Sequence, residues 1–108
     1  MKVLVTGGNG FIGRYVVEAL DDPLVFDRKA SDRATFLGDI RDTEAVHEAM
    51  GSVDGFIHLA GVLGTQETIQ RPAPAASTNV VGGLNVLEAA AFHGVPGVNI
   101  AVGTPIMW

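Results

Sequence analysis

Three apolar residues, Val3-Leu4-Val5, run straight into Thr6-Gly7-Gly8-Asn9-Gly10-Phe11-Ile12-Gly13, and this junction constrains the fold more than any other stretch of the chain. An unbroken β-branched and aliphatic run reads as a strand buried on both faces. Behind the glycines, Phe11, Ile12, Tyr15, Val16, Ala19 and Leu20 recur at helical spacing and predict a helix from about Gly10 to Asp21. A buried strand, a glycine turn and an amphipathic helix, in that order, begin a parallel βαβ unit. Gly7, Gly10 and Gly13 fall three apart, and the stretch from Gly8 to Gly13 also fits G-x-G-x-x-G. Glycine permits a tight turn and leaves no Cβ between backbone and ligand, while the N–H groups of a helix start attract an anion. Gly13 is expected to let the helix pack against the strand. Turn glycines at a helix start are common, and it is the position between strand and helix that gives the pattern weight.

The rest of the chain continues the alternation. Asp22-Pro23 is expected to end the helix, and Leu24-Val25-Phe26 reads as a second strand closed by Asp27-Arg28. Lys29 to Arg33 reads as loop and Thr35-Phe36-Leu37 as a third strand. Asp42 is the expected N-cap of a helix through Met50, with Gly51 at its C′ position. Phe56-Ile57-His58-Leu59-Ala60 is the fourth strand, and Gly61 to Pro74 a long connection. A helix then runs to His93 and stops at Gly94. Val98, Ile100 and Val102 mark a fifth strand. Short apolar strands alternating with helices imply an α/β, Rossmann-like doubly wound parallel sheet of about five strands, order 3-2-1-4-5.

Composition narrows the classes. A chain of 108 residues holds one domain or part of one. With 47% hydrophobic and 18% charged residues and a mean hydropathy of +0.31, intrinsic disorder is excluded. The 14 glycines show no period of three, which excludes collagen. A net charge of −5 without any Lys/Arg cluster argues against nucleic acid or an anionic membrane as partner. The absence of cysteine excludes disulfides and thiolate metal sites, and His47, His58 and His93 are too scattered in sequence to suggest a metal. The apolar stretch after Met1-Lys2 is too short for a secretory h-region or a membrane span, so the expected setting is cytoplasmic.

Asp27 closes the second strand twenty residues after Gly7. Dinucleotide-binding folds place there the carboxylate that accepts from the ribose hydroxyls. An acid at that point repels a 2′-phosphate and favours NAD over NADP, whereas the adjacent Arg28 could bind such a phosphate. The weight of the pattern lies with the acid and NAD.

From Thr6 to Gly13 the chain resembles the extended short-chain dehydrogenase/reductase family, in particular its NAD-dependent nucleotide-sugar epimerases and dehydratases, whose loop reads T-G-x-x-G-F-I-G. The likeness covers the whole chain. Gly38-Asp39-Ile40-Arg41-Asp42 is similar to the family's G-D-I-R-D segment, which implies that Asp39, with Ile40 beside it, meets the adenine. Asp39 could equally cap a turn. His58-Leu59-Ala60-Gly61 is similar to the H-L-A-A segment that lines the cofactor ribose, implicating Leu59, Ala60 and Gly61; His58 itself reads as a satisfied structural group. Asn79 to Ala89 resembles the helix N-V-x-G-T-x-N-V-L-E-A, with Asn79 near the site or merely polar in a first turn. Gly82-Gly83 in that helix costs about 1 kcal/mol per residue relative to alanine, which close packing on the sheet or on the cofactor would offset. By the same resemblance Gly7, Gly10, Phe11, Ile12 and Gly13 join Asp27 and Arg28 at the cofactor.

The resemblance implies chemistry by a Tyr-x-x-x-Lys pair and a Ser or Thr hydroxyl. The sequence has one tyrosine, Tyr15, followed four residues later by Ala19, and so carries no such pair. Thr104 is the best match for the hydroxyl, and also suits a strand end before a Pro turn. The chain therefore reads as the N-terminal cofactor portion of a longer enzyme, residues 1–108, with the substrate-binding part absent. An apolar fifth strand at the sheet edge agrees with that. The implied substrate is a nucleotide sugar or another small molecule, with Thr65 and Gln66 bordering its pocket. A homodimer is common in the family, although no stripe in the sequence demonstrates one. The competing function is a non-catalytic NAD(P)(H)-binding sensor.

Overall fold

A computed structural model describes residues 1–8, 11–28, 36–59 and 80–99, with the Phe11 side chain left aside. In chain order the elements are β1 (Lys2–Thr6), α1 (Phe11–Ala19), β2 (Asp22–Asp27), β3 (Phe36–Leu37), α2 (Thr43–Met50), β4 (Gly55–His58), α3 (Gly82–His93) and β5 (Gly97–Asn99). The strands form one parallel sheet in the order β3-β2-β1-β4-β5, as the alternation of elements predicts. Right-handed crossovers that travel in opposite directions from β1 must lie on opposite faces. The packing follows. Val5, Val25 and Leu59 face Val17 of α1, while Leu4, Leu24, Phe26 and Phe56 face Val46, Ala49 and Met50 of α2 and Val86 and Ala89 of α3. Successive residues of β1 and β2 thus feed two different cores, which is why neither strand alternates with polar residues.

Several boundaries differ from the sequence reading, each for a local reason. Pro23 lies inside β2, paired with Val3, instead of breaking the chain ahead of it. Proline lacks an N–H and so needs a free strand side. Among the described residues β3 pairs with Phe26 and Asp27, beyond the proline. Asp42 caps α2 as expected, its carboxylate accepting from the Ala45 N–H at 3.3 Å. Gly51 does not take the left-handed conformation of a C′ glycine: its φ is −68°. Gly94, which ends α3, does adopt it, at φ 68°. β4 begins one residue earlier than expected and ends at His58, with Leu59 beyond it. Thr35, Ala60, Ile100 and Val102 lie outside the described residues. The described residues of β5 are exposed, in keeping with an edge strand.

Gly82 explains a cost that sequence alone left unassigned. A Cβ there would stand 2.4 Å from Cγ1 and Cδ1 of Ile40, so the glycine lets the start of α3 seat on the loop after β3, while a Cβ on Gly83 would meet His58 of β4 at 4.0 Å. The outer side of α3 presents Leu84, Leu87 and Phe92 to solvent, with Val80 and Val81 just ahead of it. This is an apolar face that the sequence reading did not find.

Candidate cofactor site

The site builds from one row of the sheet. Thr6 is in register with Phe26 on one side and His58 on the other, so β1, β2 and β4 end together. Beyond that row the backbone pairing continues. Gly7 N–H donates to the Phe26 carbonyl at 2.9 Å, Leu59 N–H to the Thr6 carbonyl at 3.0 Å, and Gly38 N–H to the Asp27 carbonyl at 3.0 Å. Gly7, Asp27, Gly38 and Leu59 are therefore neighbours along the carboxyl edge. The crossovers diverge to opposite faces between β1 and β4, and open α/β sheets bind ligands in the crevice at such a point.

The glycine turn has the backbone that a close-approaching anion requires. Gly7 sits at φ 76°, a conformation that residues with a Cβ rarely adopt. A Cβ on Gly13 would lie 2.2 Å from the Gly7 carbonyl oxygen and 2.8 Å from the Gly8 Cα. Gly13 thus lets α1 rest on the turn itself, where the sequence reading had it pack on the strand. A Cβ on Gly8 would meet Val25 at 2.6 Å. The first turn of α1 carries no acidic side chain, leaving the positive end of its dipole for a ligand. Ile12 lies in that turn and is partly exposed. The backbone of Phe11 begins the helix.

A hydroxyl ties the two strands flanking the crevice. Thr6 Oγ1 shares a 2.5 Å hydrogen bond with His58 Nδ1 and accepts from the Leu59 N–H at 3.1 Å. Both side chains are buried, and burial pushes the His58 pKa below the ordinary 6.5. Thr6 is a residue at the crevice that the sequence does not single out; only the register of two strands about fifty residues apart reveals its partner. Asn85 is the second. Its Nδ2 donates to the Ile40 carbonyl at 3.0 Å, and its Oδ1 accepts from the Thr43 hydroxyl at 3.4 Å, so α3 holds the loop that follows β3.

On that loop the Asp39 carboxylate takes a fork from Arg41, Nε at 3.1 Å to each oxygen and Nη2 at 2.7 Å, and accepts the Arg41 backbone N–H at 2.9 Å. The Arg41 side-chain hydrogen bond is the main cause that lowers the Asp39 pKa, and Arg28 adds a smaller attraction of the same sign. The turn-capping geometry expected as one alternative for Asp39 is thus present, and Arg28 lies within electrostatic reach of the loop. Ile40 is buried between α2 and α3, so its side chain serves the core. Gly10, Ala60, Gly61, Thr65, Gln66, Asn79 and Thr104 lie outside the described residues. Among the described residues no group of three or more His, Asp or Glu could hold a metal, and no helix is long and apolar enough to cross a membrane.

The family model for NAD dependent epimerases/dehydratases matches residues 3–104. The chain belongs to that family. It is 31% identical over 113 residues to dTDP-glucose 4,6-dehydratase of Mycobacterium tuberculosis, covering 88% of this chain and 34% of the relative. It is 37% identical to UDP-glucose 4-epimerase of Lactobacillus helveticus, covering 82% of this chain and 31% of the relative. The crystal structure of Thermus thermophilus UDP-glucose 4-epimerase in complex with NAD superposes with a TM-score of 0.80 at 33% identity, over 88% of this chain and 35% of the epimerase. The family chain described here spans about a third of the length of those relatives.

Proposed function

We propose that this chain is the cofactor portion of an enzyme that epimerises or dehydrates a nucleotide sugar by transient hydride transfer with NAD. The observation that carries the reading is the Gly7–Gly13 contact at the crevice, with Asp27 one strand away. It leaves backbone N–H groups and a helix start open to a pyrophosphate and a carboxylate beside the ribose. The relatives' names supply the nucleotide-sugar class. NAD, when bound, supplies the hydride acceptor and returns the hydride. The chain's own residues do the holding. Gly7, Gly10 and Gly13 give the backbone room for the phosphates, with Phe11 and Ile12 opening the helix above them. Asp27 accepts from the ribose hydroxyls and repels a 2′-phosphate, which selects NAD over NADP despite Arg28. Asp39 and the backbone of Ile40 border the adenine; Leu59, Ala60, Gly61 and Asn79 line the ribose side. Thr104 orients the sugar. The Tyr and Lys that move the proton lie outside these 108 residues, as does the substrate-binding part. A homodimer working in the cytoplasm belongs to the same proposal.

The test uses the full-length protein that carries these residues. NAD and NADP are titrated by calorimetry into wild type, Gly13→Val and Asp27→Asn, with circular dichroism confirming that each is folded. Gly13→Val abolishes binding of both, and Asp27→Asn narrows the preference for NAD by about tenfold. Equal NAD affinity in all three proteins shows that the glycine turn is not the phosphate site. Tight NAD binding with no turnover of UDP-glucose or dTDP-glucose overturns the enzymatic part and leaves the sensor.

A further inference from the structure

Helices in parallel βαβ units run antiparallel to their strands, so α2 and α3 end at the opposite side of the sheet from the crevice. There His47, in the last turn of α2, meets His93, the last residue of α3. His47 Nδ1 and His93 Nε2 lie 3.3 Å apart. In a tetrahedral zinc site with Zn–N bonds of about 2.0–2.1 Å, two ligand nitrogens stand about 3.3–3.4 Å apart. The rings are inclined at 61° with centroids 5.4 Å apart, so they are not stacked face to face. Phe92 packs edge-on against both rings, 5.4 Å from His47 and 5.0 Å from His93. Gly51 makes the approach possible, since a Cβ there would stand 3.2 Å from His93 Cε1. The negative ends of two helix dipoles also favour a cation at this point.

We propose that His47 and His93 form a bis-imidazole site for a divalent transition ion, with Zn²⁺ its best geometric match. Among the described residues no third His, Asp or Glu joins them, so water completes the coordination shell. Zinc takes the lone pairs of His47 Nδ1 and His93 Nε2, each ring carrying its proton on the outward nitrogen, so no oxidation is needed. The ion staples the C-terminal ends of α2 and α3 and acts independently of the cofactor crevice.

The experiment takes the full-length protein, stripped with a chelator, through calorimetric titration and thermal melts with Zn²⁺ or Mg²⁺. Wild type binds Zn²⁺ and its melting temperature rises by a few degrees once zinc is in large excess over its dissociation constant. Mg²⁺ does nothing, because imidazole suits zinc and copper rather than hard cations. His47→Ala and His93→Ala each weaken zinc at least tenfold. Gly51→Ala crowds His93 while keeping both ligands, and also weakens it. Zinc affinity unchanged in His47→Ala and His93→Ala, or no zinc binding by wild type, overturns the proposal. So does a zinc response in metal-stripped Gly51→Ala that equals that of wild type.

Discussion

Two helices carry in their first turn a glycine that allows a close approach, one on each face of the sheet, and the approaches are of different kinds. At α1 the missing Cβ of Gly13 would collide with backbone, the Gly7 carbonyl oxygen at 2.2 Å, and that backbone is the glycine turn at the carboxyl edge of the sheet. At α3 the missing Cβ of Gly82 would collide with the end of a side chain, Ile40, at 2.4 Å. Backbone held by strand pairing on both sides cannot retreat, whereas an isoleucine can change rotamer or be replaced. The first contact shapes a site and the second seats a helix. The hydrogen bond from Asn85 to the Ile40 carbonyl reinforces the second, and nothing analogous is needed at the first, because β1 and β2 already hold Gly7 through the Phe26 carbonyl.

That contrast is open to attack by mutation. Gly13→Ala is expected to cost about 3 kcal/mol or more of folding stability, at the upper end for overpacking, and to abolish NAD binding, read by urea denaturation and calorimetry. No neighbouring substitution rescues it, since the clashing atoms are backbone. Gly82→Ala is expected to cost about 1–2 kcal/mol, the clash being partly offset by the better helix propensity of alanine. Combined with Ile40→Ala it should be less damaging than the sum of the singles, and a strictly additive cycle would erase the distinction between the two glycines.

His58, buried at the end of β4, gives a pH signature. Its folded-state pKa lies below the ordinary 6.5, so below 6.5 the unfolded chain binds a proton that the folded chain refuses. Stability is therefore full above pH 6.5 and falls as the pH drops toward the folded value, by up to about 1.4 kcal/mol per pH unit. His58→Gln retains a partner for Thr6 without titrating in this range, and its stability curve between pH 5 and 7.5 should be flatter. The smallest effect belongs to Asn85→Ala, about 1 kcal/mol, chiefly for the lost hydrogen bond to the Ile40 carbonyl, since the 3.4 Å contact with Thr43 is exposed, with NAD affinity changing far less than in Gly13→Val. An Asn85 variant as damaged in NAD binding as the Gly13 variants would mean that the adenine-side loop, rather than the glycine turn, dominates the site.

The sheet order was legible in the sequence because each apolar run is short and each crossover has one permitted hand; strand order then follows from where the helices fall. Gly13 was legible as a packing glycine because it falls at the start of a helix behind a buried strand, although it meets the turn instead of the strand. What escaped was set by neighbours. Pro23 belongs to β2 through its pairing with Val3, twenty residues away, and no window around Pro23 contains that partner. Gly51 resembles Gly94 in sequence, each a glycine after a histidine-bearing helix, yet Gly51 stays right-handed and gives room to His93 from another element. Thr6 and Asn85 act through partners more than forty residues away, His58 and Ile40 respectively. Pairings at that separation leave no periodicity to read.

The Thr6–His58 link has a consequence for how the molecule assembles. The two residues are 52 apart in sequence, and so are Lys2 and Asp54 at the other end of the same strand pair. β1 leaves the ribosome first but cannot meet its β4 partner until β4 has been made, whereas β2 is available after some twenty residues. Closing a loop of that length before any contact compensates its entropy slows folding. The β1–β4 seam is thus later than the β1–β2 pairing, and the crevice, which lies on that seam, comes into being with a long-range pairing instead of the first local one. A nascent or partly unfolded chain keeps its glycine turn next to β2 and has no second wall for a ligand to touch.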